Sequence, residues 1–275
     1  FVSRGKNYMS PETIVCDLEK DDLPITAFKN VDIVFHLAAN SMNGVACDLD
    51  EESYEKINVR STIKIAKKAE KMNVKKFIFL SSVKAGSPNI ESLKEYLLSS
   101  PQGRYGRSKK DAENKLISLS KNSEMDIVII RSALVYGHNH KGNLKKLSAV
   151  IKKFWFFPLP DARNKRSMIH LDDLIRAMIL LMDKKKIDQE IYVLTDQQFY
   201  SSRRIYEAFC RYHKKRLPRW SIPFIIFRVI GKINTKLQNT MNKLFEDEFY
   251  VSSESKNFDF RPKYTLENMG QYYFD

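Results

Sequence analysis

Three short and almost wholly apolar runs, Val31 to Leu37, Phe77 to Leu80 and Ile127 to Ile130, are separated by longer stretches with helical apolar spacing. A strand that is apolar on both faces must be covered on both faces, and helices between such strands supply the cover. The spacing predicts a long helix from Glu51 to Met72, with Tyr54, Ile57, Ile65, Ala66 and Ala69 on its inner side, and another from Arg107 to Lys121. Phe1 to Ser3 and Thr13 to Cys16 read as two further short strands. The pattern specifies an α/β chain built on a doubly wound parallel sheet.

The character changes after Tyr136-Gly137. Longer loops follow, then the aromatic cluster Phe154 to Phe157 with Pro158 and Pro160, then helices and one more strand, Ile191 to Leu194. The expected division is a sheet domain over 1–135 and a smaller, mainly helical lobe over 136–275. In open sheets of this kind ligands bind outside the carboxyl ends of the strands.

The 275 residues are long enough for a substantial core, and 43% hydrophobic content excludes a disordered chain. The three cysteines, Cys16, Cys47 and Cys210, are distant and odd in number, which suggests reduced thiols rather than a disulfide framework. His138-x-His140 lacks companions at zinc-ligand spacing, so no metal site is expected. The net charge of +14 comes from lysines scattered in ones, twos and threes, the pattern of a solvated surface. Nucleic acid is not an expected partner. The apolar segment Ile222 to Ile230 is shorter than the ~20 residues a bilayer span needs and contains Arg228, so no integral membrane segment is expected. The chain opens Phe1-Val2-Ser3-Arg4, with neither an initiator Met nor a signal-peptide pattern. It reads as a cytoplasmic protein whose natural start lies upstream.

The chemistry gathers between Lys76 and Glu113. The apolar strand delivers Ser81-Ser82, and Tyr105-Gly106-Arg107-Ser108-Lys109 opens the next helix. Tyr105 and Lys109, four apart, share one helix face. An ammonium there is expected to lower the phenol's pKa. A phenol tuned towards neutrality can take a proton from a hydroxyl, with a serine hydroxyl holding that oxygen in place. Short motifs match by chance, and this one gains weight from the strand before it and the helix around it.

These residues, with others along the chain, resemble the extended short-chain dehydrogenase/reductases of the NAD-dependent epimerase/dehydratase family. The resemblance covers nearly the whole chain and implies a Rossmann-type sheet. Cys16-Asp17-Leu18 resembles the family's Gly-Asp-Leu, which implies cofactor contacts at Asp17 and Leu18. His36-Leu37-Ala38-Ala39 resembles the His-x-Ala-Ala turn, which implies that Leu37, Ala38 and Ala39 let the backbone approach the cofactor. Asn58-Val59 resembles the Asn-Val of the following helix and adds Asn58 to the cofactor set. Ser82, Tyr105 and Lys109 match the catalytic Ser, Tyr and Lys, and Tyr105 and Lys109 also face the cofactor. In the second half, Gly142-Asn143-Leu144 and the run Arg166 to Leu174 resemble substrate-loop segments, and Lys84 lies just past the catalytic serine. Lys84, Asn143, Leu144 and Arg166 are thereby expected to hold substrate. Phe260-Arg261-Pro262 resembles a late Trp-Arg-Pro. Val135-Tyr136-Gly137 resembles Val-Tyr-Gly-Pro, although His138 stands where the family has Pro, and Ser132 replaces another Pro. A glycine-rich phosphate turn is absent from this sequence, and one βα unit of ~30 residues is expected to precede it.

The family's reactions begin at C4 of a nucleotide sugar. A dehydratase would carry carboxylates just after the catalytic serine, whereas Val83-Lys84 stands there. What remains is a UDP-hexose or UDP-N-acetylhexosamine 4-epimerase, or a 4-ketoreductase of surface-polysaccharide synthesis; an inactive scaffold is the non-enzymatic alternative. The implied cofactor is NAD or NADP, the partner a UDP-sugar, and a homodimer is a candidate assembly. If Phe1 to Ser3 is the second strand, Arg4 sits where the cofactor's 2′ position is read, and a basic residue there accommodates NADP.

Overall fold

The computed structural model describes residues 13–41, 50–138, 142–153, 159–160, 162–184, 191–217, 220–221, 223, 225, 244–253 and 258–268, with backbone alone at 2–3 and 142–143. Arg4, Cys47, His140, the 154–158 cluster and most of 222–230 lie outside these residues.

The long inner helix forms as the periodicity requires. Asp50 caps it, its carboxylate accepting from Ser53 N at 2.9 Å. Helix α1 (Glu51–Tyr54) runs through a π turn over Glu55–Ser61 into α2 (Thr62–Lys71). The helix stops at Asn73, which adopts a left-handed φ of 56° and so lets Val74 N return to Ala69 O at 3.0 Å.

Strands β1 (Val2–Ser3) and β2 (Ile14–Val15) pair in parallel. Strands β3 (Ile33–His36) and β4 (Lys76–Ser82) also pair in parallel, Ile33 opposite Lys76 and His36 opposite Phe79. The main sheet has the order β3-β4-β5-β8, with β5 at Asp126–Ser132 and β8 at Ile191–Leu194. Phe77, Phe79, Ile127 and Ile129 share one core cluster with Ala66 and Ala69 of α2 and with Ala112 and Leu116 of α4 (Gly103–Ser120). The alternate residues Ile78, Val128 and Ile130 are equally buried. Burial of both strand faces is what the continuous apolar runs demand.

Two compact units emerge, and the division is not a single cut. The first comprises 1–87, 99–131 and 178–192; the second comprises 88–98, 132–177 and 193–275. The second unit contains α3 (Leu93–Leu98), β6 (Leu134–Tyr136), α5 (Gly142–Lys153), β7 (Met168–His170) and α7 (Ser202–Tyr212); α6 (Leu171–Asp183) begins in it. Strands β6 and β7 pair in parallel, Leu134 opposite Met168, and Tyr136, Leu144, Ile151, Ile205 and Phe209 fill the adjacent core.

Candidate active site

Three side chains of the first unit meet where β4 ends and α4 begins. Ser82 is the last residue of β4 and is half-buried; its hydroxyl accepts from Lys84 N at 3.3 Å in the short 3-10 turn Val83–Ala85. Helix α4 packs onto that turn. Gln102 N donates to Lys84 O at 2.9 Å, and a Cβ on Gly106 would lie 2.2 Å from the same carbonyl oxygen. Glycine at 106 is therefore a condition of the helix standing this close. That approach brings the Tyr105 phenol beside the Ser82 hydroxyl, whose presence favours the phenolate.

Lys109 lies one turn further along α4 and is buried, its Nζ donating to Leu80 O at 2.9 Å and standing 4.5 Å from the Phe79 ring centroid. Burial pushes the lysine down to about 7, partly opposed by the Glu113 carboxylate. Burial also pushes the Tyr105 phenol up to about 12; the Ser82 hydroxyl works the other way, and Tyr54, whose ring centroid is 6.2 Å away, adds to the rise. This corrects the expectation of a phenol lowered by its neighbouring ammonium. Desolvation dominates instead, and the lysine is directed at Leu80 O of β4.

Asn58 occupies the π turn and joins three elements. Its Oδ1 accepts from Asn40 N at 2.8 Å, and its Nδ2 donates to Asn40 O at 3.0 Å and to Ser108 Oγ at 2.9 Å. Ser108 in turn donates to Tyr105 O at 2.8 Å. Both amide hydrogens are thus used within the protein, so the side chain acts by fixing the loop after β3 against α4. In that loop Leu37 is 54% exposed and Ala38 is also exposed, while His36 is buried. Thr62 donates to Asn58 O at 2.8 Å, so at its 2.9 Å contact with His36 the imidazole Nε2 is the donor. Burial, with the nearby Lys109 charge, holds His36 down at about 3, a neutral ring stacked on Phe79.

The remaining expected residues are spread more widely. Asp17 shapes a turn, its Oδ1 accepting from Glu19 N at 3.2 Å, and Leu18 O accepts from Ser61 Oγ at 2.8 Å. Arg166 belongs to the second unit, where its Nη1 is 3.5 Å from Glu248 Oε2 and its backbone bonds to Tyr200 in both directions. Leu144 is a core residue of that unit. Asn143 falls within α5, and its side chain lies outside the described residues.

Glu113 escaped the sequence reading. It is fully buried on α4, Oε1 accepting from Ser81 Oγ at 2.5 Å and Oε2 from Arg131 Nη2 at 2.7 Å. Its one sequence signal is position, a further four residues beyond Tyr105 and Lys109 on the same helix face.

A parallel sheet with flanking helices and a Ser-Tyr-Lys cluster at the end of a strand defines a class of protein, and comparison places the chain within it. Residues 2–195 match the NAD dependent epimerase/dehydratase family, and the chain belongs to that family of enzymes. It is 28% identical to a UDP-glucose 4-epimerase of Vibrio cholerae over 257 residues, 90% of this chain and 76% of the relative. It is 23% identical to the N-acetyl-alpha-D-glucosaminyl-diphospho-ditrans,octacis-undecaprenol 4-epimerase of Escherichia coli O157:H7, over 92% of this chain and 75% of the relative. Among solved structures, the UDP-glucose 4-epimerase of Thermotoga maritima with UDP-glucose superposes with a TM-score of 0.71 at 18% identity, covering 94% of this chain and 82% of the other. The UDP-glucuronic acid 4-epimerase of Bacillus cereus in complex with NAD gives 0.71 at 20% identity, covering 94% and 78%. At such identities these likenesses speak to the fold. Among the described residues no helix is long and apolar enough to cross a membrane.

Proposed function

We propose that the full-length protein is a nucleotide-sugar 4-epimerase acting on a UDP-hexose or UDP-N-acetylhexosamine through a transient 4-keto sugar, with NAD or NADP as its cofactor. The observation that carries this reading is the Tyr105 phenol beside the Ser82 hydroxyl, with Lys109 one turn further along the helix, in a chain of this family. Both relatives named above are 4-epimerases by name.

Ser82 orients the sugar 4-oxygen, and Tyr105 exchanges the proton on it. With its pKa near 12 the phenol is protonated at neutral pH, the form that donates to a 4-keto oxygen. The first step, oxidation of the sugar 4-hydroxyl, needs the phenolate, which takes the hydroxyl proton as the hydride leaves C4 and returns it to the 4-keto oxygen in the second step. When bound, the nicotinamide supplies the acceptor and then the donor of the C4 hydride. The exposed Leu37 and Ala38 leave the end of β3 open to such a ligand, and Leu37, Ala38, Ala39, Asp17 and Lys109 would hold it. Arg166 and Asn143 would grip the substrate diphosphate, for which an Arg fork is suited.

Incubating the full-length protein with UDP-glucose or UDP-N-acetylglucosamine and following the C4 epimer by proton NMR tests this directly. Conversion without net cofactor consumption is the expected result; stoichiometric consumption of NADH or NADPH would identify the ketoreductase instead, and neither would leave the scaffold. Arg166→Ala should weaken UDP binding by ~10-fold or more, as loss of a charge-assisted bond does, and leave NAD binding unchanged. Equal loss of both would remove Arg166 from the substrate set.

A further inference from the structure

Ser81 and Ser82 are neighbours at the end of β4, and successive strand side chains point to opposite faces. Ser81 shares its face with Phe77 and Phe79, the face that packs with Ala112 and Leu116 of α4. There it donates to Glu113 Oε1 at 2.5 Å. Glu113 is itself held rigidly. Arg131 of β5 donates through Nε to Oε1 at 3.0 Å and to Oε2 at 3.2 Å, and through Nη2 to Oε2 at 2.7 Å. Both partners of this pair are fully buried. The carboxylate is thus clamped between two strands from a helix that also carries Tyr105 and Lys109. One residue before Ser81, Leu80 O receives the Lys109 ammonium.

We propose that the Ser81–Glu113 hydrogen bond, with Arg131 behind it, is the positioning contact of the site. By anchoring Ser81 to α4 it fixes the twist of the last strand residues and so aims Ser82, on the opposite side, at the Tyr105 phenol. The contact of the Ser82 hydroxyl to Lys84 N is a long 3.3 Å. Glu113 touches no reacting atom in this scheme. It acts through Ser81 and through the shared helix. The inference rests on the 4-epimerase reading for its kinetic consequence, and on geometry alone for its structural one.

The obvious variant, Glu113→Ala, would leave the Arg131 charge buried without its carboxylate and would fold poorly. Ser81→Ala removes a single hydroxyl and leaves the Glu113–Arg131 pair in place. Crystal structures of the full-length wild type and of Ser81→Ala should show the Ser82 and Tyr105 hydroxyls within hydrogen-bond reach in the first and more than ~3.5 Å apart in the second. In turnover, Ser81→Ala should lose ~10- to 100-fold in kcat with KM for the UDP-sugar unchanged, as misplacement of a reacting group does. Ser81→Thr, which keeps the hydroxyl, should recover most of that loss. An unchanged Ser82–Tyr105 separation, an unchanged kcat per cofactor-loaded site, or a threonine variant no better than alanine would each overturn the proposal. Absence of turnover in the wild type would remove the epimerase reading while the crystallographic comparison still decided this one.

Discussion

In the first unit the buried polar side chains Asn58, Lys109 and Glu113 hang from helices and are directed at the end of β4 and the loop after β3. In the second unit the buried carboxylate of Asp173 is directed instead at the backbone of a late segment, and that of Asp196 at tyrosine phenols. Asp173 accepts from Lys263 N and Tyr264 N at 3.0 and 2.9 Å and from Arg176 Nη1 at 2.5 Å. Asp196 Oδ2 accepts from the phenols of Tyr136 and Tyr200 at 2.9 and 2.7 Å, and Tyr200 Oη receives Leu266 N at 3.2 Å. The contrast lies in the partner each tyrosine is given. Burial, with the Asp196 carboxylate adding to it, pushes the Tyr136 and Tyr200 phenols far up and fixes them as permanent donors. Tyr105 faces a serine hydroxyl, with an ammonium one helix turn away, and is the phenol whose proton has somewhere to go.

Exchanging the hydroxyls is the strongest test of that contrast. Tyr105→Phe should reduce turnover by the ~10²–10⁴ of a general acid–base group while leaving the thermal midpoint within a degree or two. Tyr136→Phe should do the reverse: turnover retained, stability lower by about 1–2 kcal/mol, because one buried acceptor site of Asp196 is left empty. A Tyr136→Phe enzyme as slow as Tyr105→Phe would erase the distinction.

Asp173 gives the next largest effect, entirely in stability. Asp173→Ala strands two backbone N–H groups and releases Arg176, a loss of about 3 kcal/mol in urea melts. Limited proteolysis should then cut first within 258–268, the segment those bonds tether. Unchanged protection there would show that Asp173 does not hold it.

Local signals were the legible ones. The strands read at Phe77 to Leu80 and Ile127 to Ile130 are the centres of Lys76–Ser82 and Asp126–Ser132, and the long helix read over 51–72 is observed over 51–71. Its π turn was invisible because the seven residues Glu55–Ser61 are too short a stretch to display a period of their own. The second helix starts at Gly103, four residues before its expected start at Arg107, because Gly103 and Gly106 argue against helix by propensity, while Gly103 takes a left-handed φ of 60° at the helix start and the packing on Lys84 O requires Gly106. Strands β6 and β7 are three residues each and too short to show alternation. Ser82, Tyr105 and Lys109 come together through one strand end and one helix face, which spacing expresses. Glu113 finds Ser81 and Arg131 across 32 and 18 residues, contacts that only the folded sheet creates. The same holds for Asn58, whose partners Asn40 and Ser108 lie on either side of it in sequence.

The smallest expected effect is a pair of opposite pH slopes. Lys109 falls from 10.5 to about 7 on folding, so between those values the unfolded chain binds more protons than the native protein. Stability should therefore rise with pH from about 7 towards 9, by at most about 1.4 kcal/mol per pH unit, and Lys109→Met should flatten that rise. Asp196 moves the other way, from 3.8 to about 6, so the native state binds more protons in that window and stability should fall as pH goes from 4 to 6. Asp196→Asn should remove this fall and leave the alkaline rise intact. Denaturant melts at pH 4, 6, 7 and 9 separate the two. If Lys109→Met left the alkaline slope as steep as in the wild type, the lysine would not be the desolvated group, and the first unit would be holding its charges as comfortably as the second.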